Sequence, residues 1–136
     1  MRAVMDTGVL ISALIKRQGT TGDVLLALRD GRYIMVYSTE ILVEIIDVLG
    51  RSEFRTKFHI EPDDITALVN LIRLRGELVT SQIKITACRD PKDDKFLEAA
   101  LAAEADCIVS GDADLLILSP FDNIPVLRKA EFLARL

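Results

Sequence analysis

Cys107-Ile108-Val109-Ser110-Gly111-Asp112 reads as a short buried strand that stops at a glycine and a carboxylate. The same pattern opens the chain, where Ala3-Val4-Met5 runs into Asp6. In an open α/β sheet, ligands bind outside the carboxyl ends of the strands, near the point where strand order reverses. If both runs are parallel strands of one sheet, Asp6 and Asp112 meet there. Glu44, the Asp90/Asp93/Asp94 group and Asp114 also sit at the ends of hydrophobic elements. Like charges ~4 Å apart at an effective dielectric of ~20 repel by roughly 4 kcal/mol a pair, so a cluster of them calls for a counter-charge. The simplest is a hard divalent cation with oxygen ligands, Mg²⁺ or Mn²⁺.

Working outward, elements of different period alternate, which favours an α/β fold. Strands are expected at 2–5, 33–37, 77–80, 107–109 and 125–127. Val9 to Ile15 continues the first strand as a buried helix. Gly19-Thr20-Thr21-Gly22 reads as a break, followed by a helix over 23–29. Ser38 or Thr39 caps a helix that ends near Gly50 and turns Ile41, Leu42, Ile45, Ile46 and Leu49 to one face. A short helix is expected over 52–58, and another from Pro62 to Arg75, stopped by Gly76. Asp90-Pro91 opens a helix through Ala105, because proline suits the first helical position after an Asp cap. Short helical segments close the chain at 115–118 and 129–136. No repeat, linker or low-complexity tract interrupts the pattern, so residues 1–136 read as one domain.

Half of the 136 residues are hydrophobic, yet the apolar runs are too short to span a bilayer. No charged segment followed by an apolar stretch and a cleavage site opens the chain, so a cytoplasmic protein without a membrane partner is expected. Cys88 and Cys107 lack metal or disulfide spacing and read as small core hydrophobes. His59 is the only histidine, which removes two-histidine metal motifs. The net charge of −4 argues against nucleic acid when taken alone. Basic residues nevertheless group at Lys16-Arg17, at Arg51/Arg55/Lys57 and at Arg73/Arg75. A basic rim beside an acidic metal site is compatible with a phosphodiester substrate.

Each acid has a plainer reading beside the functional one. Asp6 is either a metal ligand or the cap of the helix beginning near Gly8, and Thr7 either bonds a ligand or caps the same helix. Asp90 reads first as a helix cap, with an acid three positions on as in a capping box. Asp93 and Asp94 project about 100° apart on a helix, so only one should face the strand ends; both are carried. Asp112 follows Ser110-Gly111, where glycine allows close backbone approach, and reads as a ligand. Asp114 is either a fourth ligand or the cap of the next segment. Ser110 is a candidate hydroxyl for substrate or for supporting a ligand.

Four stretches occur in order: Val4-Met5-Asp6-Thr7-Gly8-Val9-Leu10-Ile11-Ser12-Ala13-Leu14, Ser38-Thr39-Glu40-Ile41-Leu42-Val43-Glu44, Arg89-Asp90-Pro91-Lys92-Asp93-Asp94-Lys95-Phe96-Leu97-Glu98-Ala99-Ala100, and Ala105-Asp106-Cys107-Ile108-Val109-Ser110-Gly111-Asp112-Ala113-Asp114-Leu115-Leu116. Together they resemble the PIN-domain family, in particular the toxin components of toxin–antitoxin systems. The resemblance implies a three-layer α/β/α sandwich around a central parallel five-stranded sheet. It implies a Mg²⁺- or Mn²⁺-dependent ribonuclease. Asp6, Asp93 or Asp94, and Asp112 would hold one ion, and Glu44 would complete a second, weaker site. Its partners would be RNA and an antitoxin protein, with a homodimer left open, and Arg51, Arg55 and Lys57 could reach the RNA backbone. One position departs from the family, which often has Asn after Asp-Thr where this chain has Gly8. Two rival readings are a non-catalytic PIN-like interaction module and a receiver-type phospho-acceptor domain.

Overall fold

The computed structural model describes residues 1–16 and 19–136; Arg17, one of the basic residues singled out above, lies outside the described residues. The chain runs β1 (Arg2–Met5), α1 (Thr7–Ile15), α2 (Gly19–Arg29), β2 (Ile34–Tyr37), α3 (Thr39–Gly50), α4 (Ser52–Phe58), α5 (Pro62–Arg75) and β3 (Gly76–Leu78). A single 3₁₀ turn (Pro91–Asp93) then leads into α6 (Asp94–Ala103), β4 (Cys107–Val109), α7 (Ala113–Leu116), β5 (Val126–Leu127) and α8 (Lys129–Ala134).

All strand pairings are parallel, in the order β3-β2-β1-β4-β5. The chain builds the sheet in one direction from β1 to β3, then crosses back to β4 on the other side of β1. Strand order therefore reverses between β1 and β4, the place where such sheets bind ligands. Receiver domains order their strands 2-1-3-4-5, so this topology is not theirs. Right-handed crossovers put α1 to α5 on one face and the returning α6 on the other. The contacts agree: α6 packs on β1, β2 and β4, while α2 packs on α1, α5 and α8. A sheet covered on both faces needs strands apolar on both sides, which is why Ala3-Val4-Met5 and Cys107-Ile108-Val109 do not alternate. Every one of these side chains is essentially solvent-free. Complete burial of one such aliphatic side chain stabilises the fold by about 1.5–3 kcal/mol.

Gly76 is required where α5 passes directly into β3. A Cβ there would lie 2.3 Å from the Ile72 carbonyl oxygen and 2.8 Å from that of Met35. Only a residue without a side chain lets the helix end touch β2.

The structure departs from the sequence expectations in four places. Gly19 marks the break after α1 with a left-handed φ of 70°, but the stretch to Gly22 is the first turn of α2 rather than a loop. Gly22 is buried, and packing of α2 on α1 outweighs a propensity cost of about 1 kcal/mol per glycine. On α3, Ile41, Ile45 and Leu49 are buried, but Ile46 is 41% exposed, because the face that meets the core is narrower than expected. The helix after Asp90 starts as a 3₁₀ turn and ends at Ala103, where Glu104 takes a left-handed conformation at φ 51°. The third strand is Gly76–Leu78, the length over which β2 offers partners, rather than 77–80.

Candidate active site

Asp6 and Asp112 stand side by side at the carboxyl ends of β1 and β4, and Ser110 links them. Its buried hydroxyl donates to Asp6 Oδ2 at 2.7 Å and accepts from the Asp112 amide at 3.0 Å. Asp6 Oδ1 accepts from the Gly8 amide at 3.2 Å, capping α1, and Asp112 Oδ1 accepts from the Asp114 amide at 2.9 Å, capping α7. Each carboxylate is thus held by one cap bond, so the cap and ligand readings of these residues do not compete. Burial pushes the Asp6 carboxyl up; the bonds from Ser110 and Gly8 oppose this, and the nearby Asp112 and Glu44 charges add to it.

The 3₁₀ turn sets the adjacent aspartates in different surroundings. Asp94 is buried, and its Oδ1 accepts from the amides of Cys88 at 2.8 Å and Ala87 at 3.1 Å. Burial alone would raise its pKa, but the bonds from Cys88 and Ala87 win and hold it below the usual carboxylate range. Asp93 turns the other way. Partial burial, then the charges of Asp6 and Asp90, push it up to about 6; Lys95 opposes this and Asp112 adds to it. Asp93 therefore shares the field of Asp6 and Asp112, and Asp94 secures the loop in front of α6.

Glu44 projects from α3 toward β1. Its Oε2 accepts from the Thr7 hydroxyl at 2.7 Å and pairs with Lys95 Nζ at 3.0 Å. Lys95 is only 15% exposed, also donates to the Lys92 carbonyl oxygen, and lies 4.8 Å from the Phe96 ring centroid. Asp90 Oδ1 accepts from the Lys92 amide at 3.0 Å and caps the 3₁₀ turn, as expected for an Asp before proline. Asp114 faces the exposed Arg89 at 3.5 Å.

Two clefts open beside this cluster and share Asp112. One, of about 540 Å³, runs past Asp6, Gly8 and Asp112 to Arg128 and Lys129. The other, of about 410 Å³, is lined by Arg89, Asp90, Asp93, Asp112 and Asp114. Arg51, Arg55 and Lys57 line neither. Arg51 pairs with Asp47 at 3.0 Å, and Arg55 donates to the Ile60 carbonyl oxygen. This group begins about 10 Å along the helix axis beyond Glu44. Sequence reasoning passed over Lys95, Arg128 and Lys129 as site residues. A signal did exist for the last two: α8 follows the last strand directly, so its start must lie at the carboxyl end of a parallel sheet.

A family model described as the PIN domain matches residues 2–114. The chain belongs to the PIN domain family. Uncharacterized protein MJ1680 of Methanocaldococcus jannaschii is 29% identical over 118 residues, covering 87% of this chain and 75% of that protein. The fold is similar to a chain in the crystal structure of VapBC2 from Rickettsia felis bound to a DNA fragment from their promoter. The TM-score is 0.62 at 13% identity, over 94% of this chain and 98% of that one. Where many PIN domains carry Asn, this one has Gly8. Its backbone amide and the Ser110 hydroxyl take one oxygen each of Asp6, so the carboxylate is oriented without an Asn side chain.

The donor set of this PIN domain suits a hard cation. It consists of carboxylates, of which Asp6 and Asp93 are pushed up in part by the neighbouring acidic charges, and both thiols are held protonated. Burial pushes Cys88 up to about 12 and Cys107 up to about 11. Among the described residues no three His, Cys, Asp or Glu side chains stand together as a ready-made site that could hold a metal ion. Mg²⁺ does not require one, since it keeps several waters and typically uses one or two protein carboxylates. No helix among the described residues is long and apolar enough to cross a membrane.

Proposed function

We propose that this PIN domain is a metal-dependent ribonuclease and the toxin of a toxin–antitoxin pair. The reading rests above all on Asp6, Asp93 and Asp112, three carboxylates in one another's field where strand order reverses. They would hold a Mg²⁺ or Mn²⁺ ion. When bound, such an ion activates water for attack on a phosphodiester and stabilises charge on the phosphoryl oxygens.

The protein's own groups do the positioning. Ser110 and the Gly8 amide keep Asp6 in one orientation, and Ser110 ties that orientation to Asp112. Asp94 holds the 87–88 backbone and so sets the angle at which Asp93 leaves the 3₁₀ turn; we assign Asp93 rather than Asp94 to the ion. Arg128 and Lys129, on the far wall of the larger cleft, would grip phosphates flanking the scissile one. Such contacts position the strand without reading its sequence. Arg51, Arg55 and Lys57 would contact the RNA backbone only at a distance from the reaction. The antitoxin partner is inferred from the PIN family and from the likeness to the VapBC2 fold.

The test is RNA cleavage during a Mn²⁺ titration of the wild type and of Asp112→Asn. Cleavage should require the ion and fall at least ~100-fold in the variant, the scale on which removing a group that stabilises transition-state charge acts. Cleavage that persists in a chelator, or that is unchanged in Asp112→Asn, overturns the assignment. Growth arrest on expression, relieved by the same substitution, is the expected mark of a toxin.

A further inference from the structure

Glu44 already has a cation. The Lys95 ammonium reaches it from α6 across the carboxyl end of the sheet, 3.0 Å from Oε2, while the Thr7 hydroxyl takes the same oxygen at 2.7 Å. The ammonium is fixed rather than waving in solvent. It is 15% exposed, bonded to the Lys92 carbonyl oxygen and set against the Phe96 ring. Two of its three N–H donors are thereby committed to protein acceptors. One largely buried positive charge therefore sits against Glu44.

We infer that Lys95 occupies the place of a second metal ion, so that this site takes a single divalent cation, at Asp6, Asp93 and Asp112, with Glu44 serving as the seat of the ammonium. A Mg²⁺ ion on Glu44 would sit about 2.1 Å from a carboxylate oxygen. On Oε2 it would have to displace Lys95, and on Oε1 it would still share one carboxylate with the ammonium; either course sets a double positive charge beside a single one that is only 15% exposed. The arrangement also explains how four carboxylates can coexist at one mouth: one is neutralised by the chain itself, and three are left for the ion. Lys95 acts on the reaction through Glu44 and is a positioning residue. The inference rests on the metal-dependent reading above and goes beyond it in assigning the number of ions and the role of Glu44.

The experiment is Mn²⁺ binding by calorimetry and electron paramagnetic resonance, with circular dichroism to verify the fold of each variant. The wild type should bind one Mn²⁺ per chain. Glu44→Gln should still bind one, with affinity changed by no more than a few fold. Lys95→Gln should acquire a second, weaker Mn²⁺, which the double variant with Glu44→Gln loses. Lys95→Arg, which retains the charge, should stay at one. Two ions in the wild type, falling to one in Glu44→Gln, would overturn the inference while leaving the nuclease reading intact. A stoichiometry of one in folded Lys95→Gln would also overturn it. Absence of Mn²⁺ binding in the wild type would overturn the metal-dependent reading itself, and this inference with it.

Discussion

Asp93 and Asp94 are adjacent in the chain and belong to different regions of the molecule. Asp93 belongs to the open mouth between β1 and β4, where neighbouring carboxylates and partial burial make its negative charge unwelcome. Asp94 belongs to the closed loop in front of α6, where two amides make its charge welcome despite burial. The chemical group is the same, and the environments shift its proton affinity in opposite directions. A carboxylate that supports structure collects donors. Asp93 faces other carboxylates instead, and the fold carries the resulting repulsion.

The largest effect that could break this contrast is on catalysis. Asp93→Asn should lower kcat for RNA cleavage by ~100-fold or more, as removal of a group stabilising transition-state charge does. Asp94→Asn should leave it within a few fold. Equal losses at the two positions, measured on the same RNA, would dissolve the distinction. Charge reversal on the opposite wall of the cleft comes next. The double substitution Arg128→Glu, Lys129→Glu should raise KM for RNA by roughly tenfold or more and flatten its salt dependence, because phosphate contacts release counterions. Arg51→Glu with Lys57→Glu should do much less. The reverse ranking in a salt series would move the RNA path to α4.

Stability should rank the adjacent aspartates the other way. Asp94→Ala removes the acceptor of two amides and should cost about 2–3 kcal/mol, the scale of a lost hydrogen bond to a charged group, in urea unfolding. Asp93→Asn should cost nothing in the metal-free protein and should raise its stability at neutral pH. Millimolar Mn²⁺, present at ~100 times its Kd, should stabilise the wild type by about 2.7 kcal/mol through linkage. It should stabilise Asp93→Asn far less, as a melting series would record.

The smallest effect is the pH profile of metal-free stability. Asp93 binds its proton more tightly folded, near 6, than unfolded, near ~3.9. Its contribution is complete below the unfolded value and is lost as pH rises through about 6. Asp94 is depressed, so its contribution is complete above ~4 and is lost as pH falls through its lower folded value. Stability from these two groups should therefore be greatest near pH ~4 and decline on both sides of it. Asp93→Asn should flatten the upper limb and Asp94→Ala the lower one. A single limb that responds equally to both substitutions would show that they share one environment.

Much of this site was legible before any coordinates. Asp6 and Asp112 could be placed together because each closes a run that is apolar on both faces, and such runs become neighbouring central strands in a parallel sheet. The dual role of each as cap and candidate ligand was not legible, since one oxygen serves each purpose and the sequence shows only the residue. The resemblance assigned Glu44 to a second ion. The contact on which the single-ion proposal rests comes from Lys95, fifty-one positions away on the other side of the sheet, and no local pattern encodes such a distance. Ser110 stood out as a hydroxyl between strand and acid, but its bridge to Asp6 spans 104 residues and exists only because β4 pairs with β1.

By itself the sequence determined the strand and helix order, the carboxylates at the strand ends and the family, because these rest on short-range periodicity and on residues at fixed spacing. Tertiary structure alone decided which aspartate faces the mouth, which cation Glu44 holds and which basic residues line the cleft. The physical reason lies in the turn at Pro91–Asp93. A 3₁₀ turn advances about 120° per residue where an α-helix advances about 100°, so it re-aims the side chains at the start of α6. Asp94 then grips the 87–88 backbone, and that grip exists only in the folded chain.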